Sequence, residues 1–297
     1  MPGVRQPAVA GQFYEGRKET LDASIERCFL HPLGPGKLPL ASGNGPGLIG
    51  AVVSPHAGYM YSGPAAAHGY RALAEDGTPD TIIVVGPSHL TADRLAAVSL
   101  VDAWRTPLGD VALDTDLGHE LIAASPLFEA DETAHRGEHS LEVQLPFLQF
   151  VYGERMPRIL PVCLRSHPMG DGEQLIEDAE AMGEAIAKAV GARRAVVVAS
   201  TDLSHQVAQE VAQRQDRLAL DAIEAMEPAG LLRAVRRHHI SMCGPVPVAV
   251  ALWCCLAQGK RQAQLLAYYT SGDIIGDRRA VVGYASLVVR RQGGGAG

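Results

Sequence analysis

Continuous runs of apolar and β-branched residues, without regular polar alternation, constrain most strongly how this chain folds. A strand with one face in water alternates polar and apolar side chains, so an unbroken apolar run indicates a strand covered on both faces. Such strands are typical of a parallel sheet packed between layers of helices. The runs occupy residues 48–54, 81–85, 158–163, 195–200, 262–269 and 280–288, with 95–101 as a weaker candidate.

Helical patterns lie between these runs, and the alternation predicts the fold class. We expect helices over residues 64–74, 115–124, 140–151, 173–190, 206–226, 229–238 and 245–258. The pattern predicts an α/β fold, with a central, largely parallel or mixed sheet covered by helices on both faces. We expect a single domain over residues 1–292, a surface loop over residues 33–47 and a disordered tail over residues 293–297.

Composition and charge argue against several classes of protein. The 297 residues carry a formal net charge of −7, whereas nucleic-acid binding needs a basic surface. The five cysteines are odd in number and irregularly spaced, which indicates no disulfide framework and fits a reducing compartment. Residues 1–14 contain no apolar targeting segment. The apolar run 246–257 is shorter than the roughly 20 residues that span a bilayer. We therefore predict a cytoplasmic protein without membrane or nucleic-acid partners.

Three of the predicted strands lead into a histidine. His56 follows the run 48–54, His89 follows the run 81–85, and His205 follows the run 195–200. Ligands of open α/β sheets lie beyond the carboxyl ends of the strands, so neighbouring parallel strands would bring these histidines and Asp202 into one crevice. One histidine at a strand end is more often structural, but three at successive strand ends favour a functional site.

Cys243 stands just before the predicted helix 245–258. Unpaired N–H groups and the helix dipole are expected to lower the pKa of its thiol there and to favour the metal-binding thiolate. Two imidazoles with a carboxylate form the open site of non-haem Fe(II) enzymes, and a thiolate in its place suits Fe(II), copper or zinc. His205 is a candidate general acid–base, and Asp202 is a candidate to orient an imidazole or to bind the metal. The alternative for Cys243 is a buried small hydrophobe.

Further candidates flank these motifs. His139 and Glu142 are expected to line the main crevice rather than to form a separate metal site with His135. Tyr59 and Tyr61 lie beside His56 and are candidates for the substrate pocket, with a core position as the alternative. The remaining residues of interest are interpreted as structural, surface or turn residues: Cys28, Cys163, Cys254, Cys255, His238, His239, Asp273 and Asp277.

Known catalytic motifs of other families are missing from the sequence, while one family's motifs occur together. The chain has no nucleophile elbow, no P-loop and no His-Glu-x-x-His motif.

Seven segments occur in order along residues 4–289: RQPAVAGQFY (5–14), PHAGY (55–59), GPSH (86–89), EHSLE (138–142), STDLSH (200–205), CG (243–244) and YTSGD (269–273). Together they resemble the Memo family (mediator of cell motility).

The resemblance implies the α/β fold of the class III extradiol dioxygenases, which are ring-cleaving non-haem iron enzymes. It implies a metal site at His56, His89 and Cys243, with His205 as the acid–base residue and Asp202 close by. In the dioxygenases a carboxylate takes the position of Cys243, and a thiolate changes the redox potential of a metal. The implied protein is an oxidoreductase that uses Fe(II) or copper on a small-molecule or peptide substrate.

The resemblance also bears on partners. Bacterial and archaeal members are often grouped with an AMMECR-type protein and a radical SAM protein (the AmmeMemoRadiSam system), which implies a shared pathway.

Two other functions remain as alternatives. The crevice would serve a non-catalytic module that binds a peptide or protein, with Phe13 and Tyr14 at its rim, or the site would sequester a metal.

Overall fold

The computed structural model describes residues 3–40, 43, 45–90, 94–165 and 172–291. The strands are β1 (Val4–Arg5), β2 (Ile49–Ser54), β3 (Thr81–Ser88), β4 (Ala96–Val98), β5 (Ala103–Thr106), β6 (Gly109–Ala112), β7 (Phe128–Ala130), β8 (Arg158–Arg165), β9 (Ala195–Ser200), β10 (His205–Val207), β11 (Gln262–Thr270) and β12 (Val281–Arg290). The α-helices are α1 (Lys18–Leu30), α2 (Tyr59–Asp76), α3 (Thr115–Ala124), α4 (Leu145–Tyr152), α5 (Gly172–Val190), α6 (Gln209–Glu224), α7 (Pro228–Arg237), α8 (Pro245–Ala257) and α9 (Ser271–Ile275).

Nine strands of the described residues form one mixed sheet, in the order β10-β12-β2-β9-β3-β8-β4-β7, with β11 paired to β12. The central strands β2, β9, β3 and β8 are parallel to one another. They are flanked by antiparallel pairings of β12 with β2 and of β4 with β8. The predicted α/β class with a mixed sheet is therefore confirmed. The predicted tail 293–297 lies outside the described residues.

Helices cover both faces of the central strands. Ile83 and Val85 of β3 belong to the core on the side of α5 and α8, whereas Ile82 and Val84 belong to the core on the side of α1 and α2. Every residue of β2, β3 and β9 is buried. This burial explains why these strands are continuous apolar runs in the sequence.

Several elements differ from the sequence prediction. Helix α2 begins at Tyr59, five residues before the predicted start at Pro64, so Pro64 lies inside the helix and not in its first turn. The predicted helix 140–151 is a short 3₁₀ turn at Glu142–Gln144 that leads into α4. The three-stranded sheet β1-β5-β6 was not predicted, because its strands are only two to four residues long. Helix α1 was not predicted either.

Two further expectations concern the cysteines and the membrane. All five cysteines are free, and Cys28, Cys163, Cys254 and Cys255 are buried, as predicted for structural positions. Among the described helices, none combines the length and the apolar character that crossing a bilayer requires.

Candidate metal centre

Three imidazoles meet beyond the carboxyl ends of the central strands. His56 lies two residues after β2 and His89 directly follows β3, and these two strands flank β9 in the sheet. His139 lies in the loop before α4. One ring nitrogen from each histidine lies within 4.8 Å of the other two. The structure thus brings together two predicted metal ligands and a third histidine that the sequence analysis placed in the wall of the crevice.

Ser200, the last residue of β9, fixes the ring of His56. Its hydroxyl donates to the carbonyl oxygen of Ser140 at 2.7 Å, and its oxygen accepts a hydrogen bond from Gln144 Nε2 at 2.7 Å. The imidazole must then be the donor in the 2.8 Å contact between His56 Nδ1 and Ser200 Oγ, because the single hydroxyl proton is already used. His56 therefore carries its proton on Nδ1 and keeps a lone pair on Nε2.

Glu138 makes the corresponding contact with His89. The carboxylate is fully buried, and its Oε1 accepts a hydrogen bond from His89 Nδ1 at 3.0 Å. Burial by itself raises the pKa of Glu138, but hydrogen bonds from His89 and Ser140 outweigh burial and hold this pKa at about 2. Sequence reasoning gave Glu138 no role, although a carboxylate next to a histidine in the chain was a usable signal.

Burial keeps two of the clustered imidazoles, those of His56 and His139, in the neutral form. It lowers the pKa of His56 well below the ordinary value, and the neighbouring His139 and His89 reinforce this effect. Burial also lowers the pKa of His139 to about 4. Neutral imidazole is the metal-binding form, and it suits zinc, copper and iron. Ligand nitrogens around a tetrahedral ion with bonds of about 2.1 Å are roughly 3.4 Å apart, so nitrogens within 4.8 Å of one another fit one ion after a small adjustment.

Cys243 lies directly beside this cluster without belonging to it. Its Sγ is 3.1 Å from His56 Nε2 and 3.1 Å from the backbone nitrogen of Asp202. The three-histidine group does not include this sulfur. The predicted lowering of its pKa is wrong: burial raises the pKa of the Cys243 thiol, and the Asp202 carboxylate adds to the rise. Loss of hydration therefore outweighs the dipole of α8.

Asp202 and His205 follow β9 at the same edge of the sheet. Asp202 is buried, its Oδ1 accepts the backbone N–H of His56 at 2.8 Å, and burial raises its pKa to about 6. His205 Nδ1 lies 2.8 Å from the carbonyl oxygen of Ser241. A carbonyl oxygen only accepts, so His205 carries its proton on Nδ1 and has a lone pair on Nε2. Asp202 thus positions the His56 loop, while His205 has a nitrogen that can take up a proton.

The two predicted pocket tyrosines line a cavity of 370 Å³ beside the cluster. Tyr59 is buried, and its hydroxyl donates to the carbonyl oxygen of Val143 at 2.6 Å. Tyr61 is half-buried. Phe13 also lines the cavity, and its ring centroid is 4.7 Å from that of His139. The cavity and the histidine cluster therefore share a boundary at Phe13.

Glu142 supports this boundary from inside the protein. It is fully buried and forms an ion pair of 2.7 Å with Arg5. Its oxygens also accept hydrogen bonds from the N-terminal segment, namely from the backbone nitrogens of Ala8 and Val9 and the hydroxyl of Tyr14. The structure places Glu142 beneath the N-terminal segment that carries Phe13, whereas the sequence analysis placed it in the crevice.

Gly244 allows the Cys243 loop to approach β9. A Cβ at position 244 would lie 2.5 Å from the carbonyl oxygen of Ser200, which is backbone and cannot move aside. We expect Gly244→Ala to lower the free energy of unfolding by about 1–3 kcal/mol, as overpacking in a close-packed interior does. Urea denaturation tests this expectation, with Gly58→Ala as the control because its Cβ would meet no atom closer than 3.6 Å. Equal stability of the two variants would contradict the steric argument.

The fold and the site together define a class: an α/β protein with a cluster of histidines at the carboxyl edge of its parallel strands. The family model described as Memo-like protein matches residues 5–288. A MEMO1 family protein of Methanopyrus kandleri is 45% identical over 291 residues, which cover 97% of this chain and 99% of that protein. A MEMO1 family protein of Methanothermobacter thermautotrophicus is 42% identical over 288 residues, covering 96% and 99%. The chain belongs to the Memo family.

A solved structure supports the fold. The crystal structure of an uncharacterized protein from Escherichia coli K12 superposes with a TM-score of 0.56 at 13% identity. The likeness covers 81% of this chain and 99% of the other. At this level of identity the likeness concerns the fold alone.

Proposed function

We propose that this Memo family protein is a mononuclear metal-dependent oxidoreductase whose reaction takes place at the three-histidine cluster. The observation that carries the proposal is the meeting of His56, His89 and His139 at one edge of the sheet. The lowered pKa values of His56 and His139 support it, because buried neutral imidazoles are ready to bind a metal ion. The proposed ion is Fe(II), with copper as the second candidate, and the proposed substrate is a small molecule or a peptide.

We propose that His56 and His89 bind the metal ion in every case, whichever further ligands complete the site. The fixed Nδ1–H groups of both rings leave Nε2 for the ion. His139 completes the histidine set, and Cys243 is proposed as the further ligand, since its sulfur lies beside His56 Nε2. A bound iron or copper ion would supply one-electron chemistry and open coordination positions.

His205 is the proposed acid–base residue. Its Nδ1–H is held by Ser241, so a substrate proton is accepted at Nε2 and returned from there. Asp202 contributes by fixing the backbone of His56, which keeps this ligand in place while protons move. Phe13 and Tyr61 line the neighbouring cavity and are proposed to shape the space for substrate.

Metal analysis after anaerobic purification with Fe(II) tests this proposal. We expect about one ion per chain in the wild type and none in the double variant His56→Ala/His89→Ala, because the two common ligands are gone. His239→Ala, which removes an exposed histidine, is the control and retains the metal. Stoichiometric metal in the double variant would refute the proposed site.

Two single variants assign the remaining ligands. Loss of metal in His139→Gln but not in Cys243→Ser would leave a three-histidine site, and the opposite result would leave a site of two histidines and one thiolate. Oxygen consumption by the loaded protein separates catalysis from storage. Tight Cu(I) binding without any oxygen uptake would favour a metal-sequestering protein.

We also propose that the protein acts with an AMMECR-type protein and a radical SAM protein. Co-purification of tagged protein from its native cells tests this association. A stable partner whose binding is unaffected by metal removal and by His56→Ala would instead favour a peptide- or protein-binding module.

A further inference from the structure

One buried carboxylate, that of Glu138, contacts both His89 and His139. No part of Glu138 is exposed to solvent. Its two oxygens accept four N–H groups: those of the His89 ring (3.0 Å), the His89 backbone (2.6 Å), the His139 backbone (2.8 Å) and the Ser140 backbone (2.7 Å). Three of the four donors belong to the two histidines themselves.

We propose that Glu138 is a positioning residue for the metal centre, which fixes the tautomer and orientation of His89, holds His139 beside it and thereby raises the affinity of the site for a divalent ion. This inference rests on the proposed function, since it concerns the same three histidines.

The tautomer follows from the chemistry of the acceptor. A carboxylate has only acceptor atoms, so the neutral form of the His89 ring has its proton on Nδ1 and its lone pair on Nε2. A carboxylate on the outer nitrogen also makes an imidazole a more basic ligand. His56 has a neutral serine hydroxyl in this position, so the two proposed ligands are supported by different groups.

The backbone contacts explain why positioning is needed here. His89 directly follows β3, and His139 lies 50 residues later in a loop without regular secondary structure. The two ring centroids are nevertheless only 4.4 Å apart. Hydrogen bonds from the backbones of both residues to Glu138 connect the two segments, so a single side chain sets the spacing of the two rings.

The variant Glu138→Gln tests whether Glu138 positions the histidine rings or only anchors the loop in which it lies. Glutamine keeps the size of the side chain but removes the charge and one acceptor. We expect the dissociation constant for Co²⁺ to rise by about 10–100-fold, which is the usual cost of losing the outer partner of a ligating histidine. We also expect the ¹⁵N NMR signals of His89 in the metal-free variant to show a mixture of tautomers.

The matched control is Glu132→Gln. Glu132 also anchors a loop with its carboxylate, through Ser99 Oγ and the backbone nitrogen of Leu100, but these hydrogen bonds lie outside the histidine cluster. This variant is expected to keep the wild-type affinity for Co²⁺ and the wild-type His89 signals.

Three outcomes decide the inference. Wild-type affinity together with an unchanged His89 tautomer in Glu138→Gln would overturn it. A wild-type, metal-free spectrum with the proton of His89 on Nε2 would overturn it even if the variant does not fold. If the wild type binds no Co²⁺, the proposed function fails and the claim on affinity fails with it, while the tautomer measurement still decides whether Glu138 orients His89.

Discussion

Replacing Glu142 with alanine is expected to lower the free energy of unfolding by about 3–5 kcal/mol, the usual cost of removing one partner of a buried ion pair. Only 5% of the Arg5 side chain and none of the Glu142 side chain is exposed. The substitution leaves the Arg5 guanidinium buried without its carboxylate, and it also removes the acceptor of the Tyr14 hydroxyl. Because Phe13 precedes Tyr14, we expect its contact with His139 to loosen as well.

Urea denaturation followed by circular dichroism measures this loss. Asp110→Ala is the matched control, since it breaks the ion pair of Arg105 at an exposed position where solvent screens the charges, and we expect a far smaller effect. The double variant Arg5→Met/Glu142→Ala removes both charges and is expected to recover part of the stability. Wild-type stability of Glu142→Ala would show that the ion pair does not hold the N-terminal segment.

The sheet and one edge of the site could be predicted because their signals are local. Continuous apolar runs mark β2, β3 and β9, and each run is followed within a few residues by a histidine. Because these strands are parallel, their carboxyl ends lie at the same edge of the sheet, whatever the conformation of the loops. His56 and His89 therefore meet as the strand-end argument requires, and the sequence alone was sufficient to expect it.

The rest of the site depends on long-range packing that no local pattern reveals. His139 and Glu138 lie in a segment without helical or strand periodicity, and their positions follow from hydrogen bonds to residues about 50 positions earlier. The rise in the pKa of Cys243 depends on its burial against Asp202, whereas the sequence showed only the helix that follows it. Glu142 looked like a crevice residue because the N-terminal segment that covers it is distant in sequence.

Acidification between pH 6.5 and 4 is expected to destabilise the metal-free protein through His135. This residue is completely buried, its Nε2 donates to the carbonyl oxygen of Ala97, and no polar atom among the described residues hydrogen-bonds to its Nδ1. Burial lowers the pKa of His135 to about 4, and the nearby Arg5 charge adds to this effect. In the unfolded chain His135 takes up its proton near pH 6.5. Its contribution to the free energy of unfolding is therefore fully present above that pH, and it falls on acidification until the folded state also takes up the proton near pH 4.

The difference between the two pKa values of His135 corresponds to a loss of about 3 kcal/mol in the free energy of unfolding between pH 6.5 and 4. Below pH 4 the contribution of His135 no longer changes with pH. Urea unfolding at a series of pH values, with a chelator present, measures it. His135→Gln has no titrating group at this position, so its stability is expected to fall less steeply than that of the wild type, while His56 and His139 still contribute. His119→Gln, at an exposed histidine, serves as the control and should follow the wild type. If the slopes for His135→Gln and the wild type coincide, His135 titrates alike in both states and its burial does not govern the acid stability of the fold.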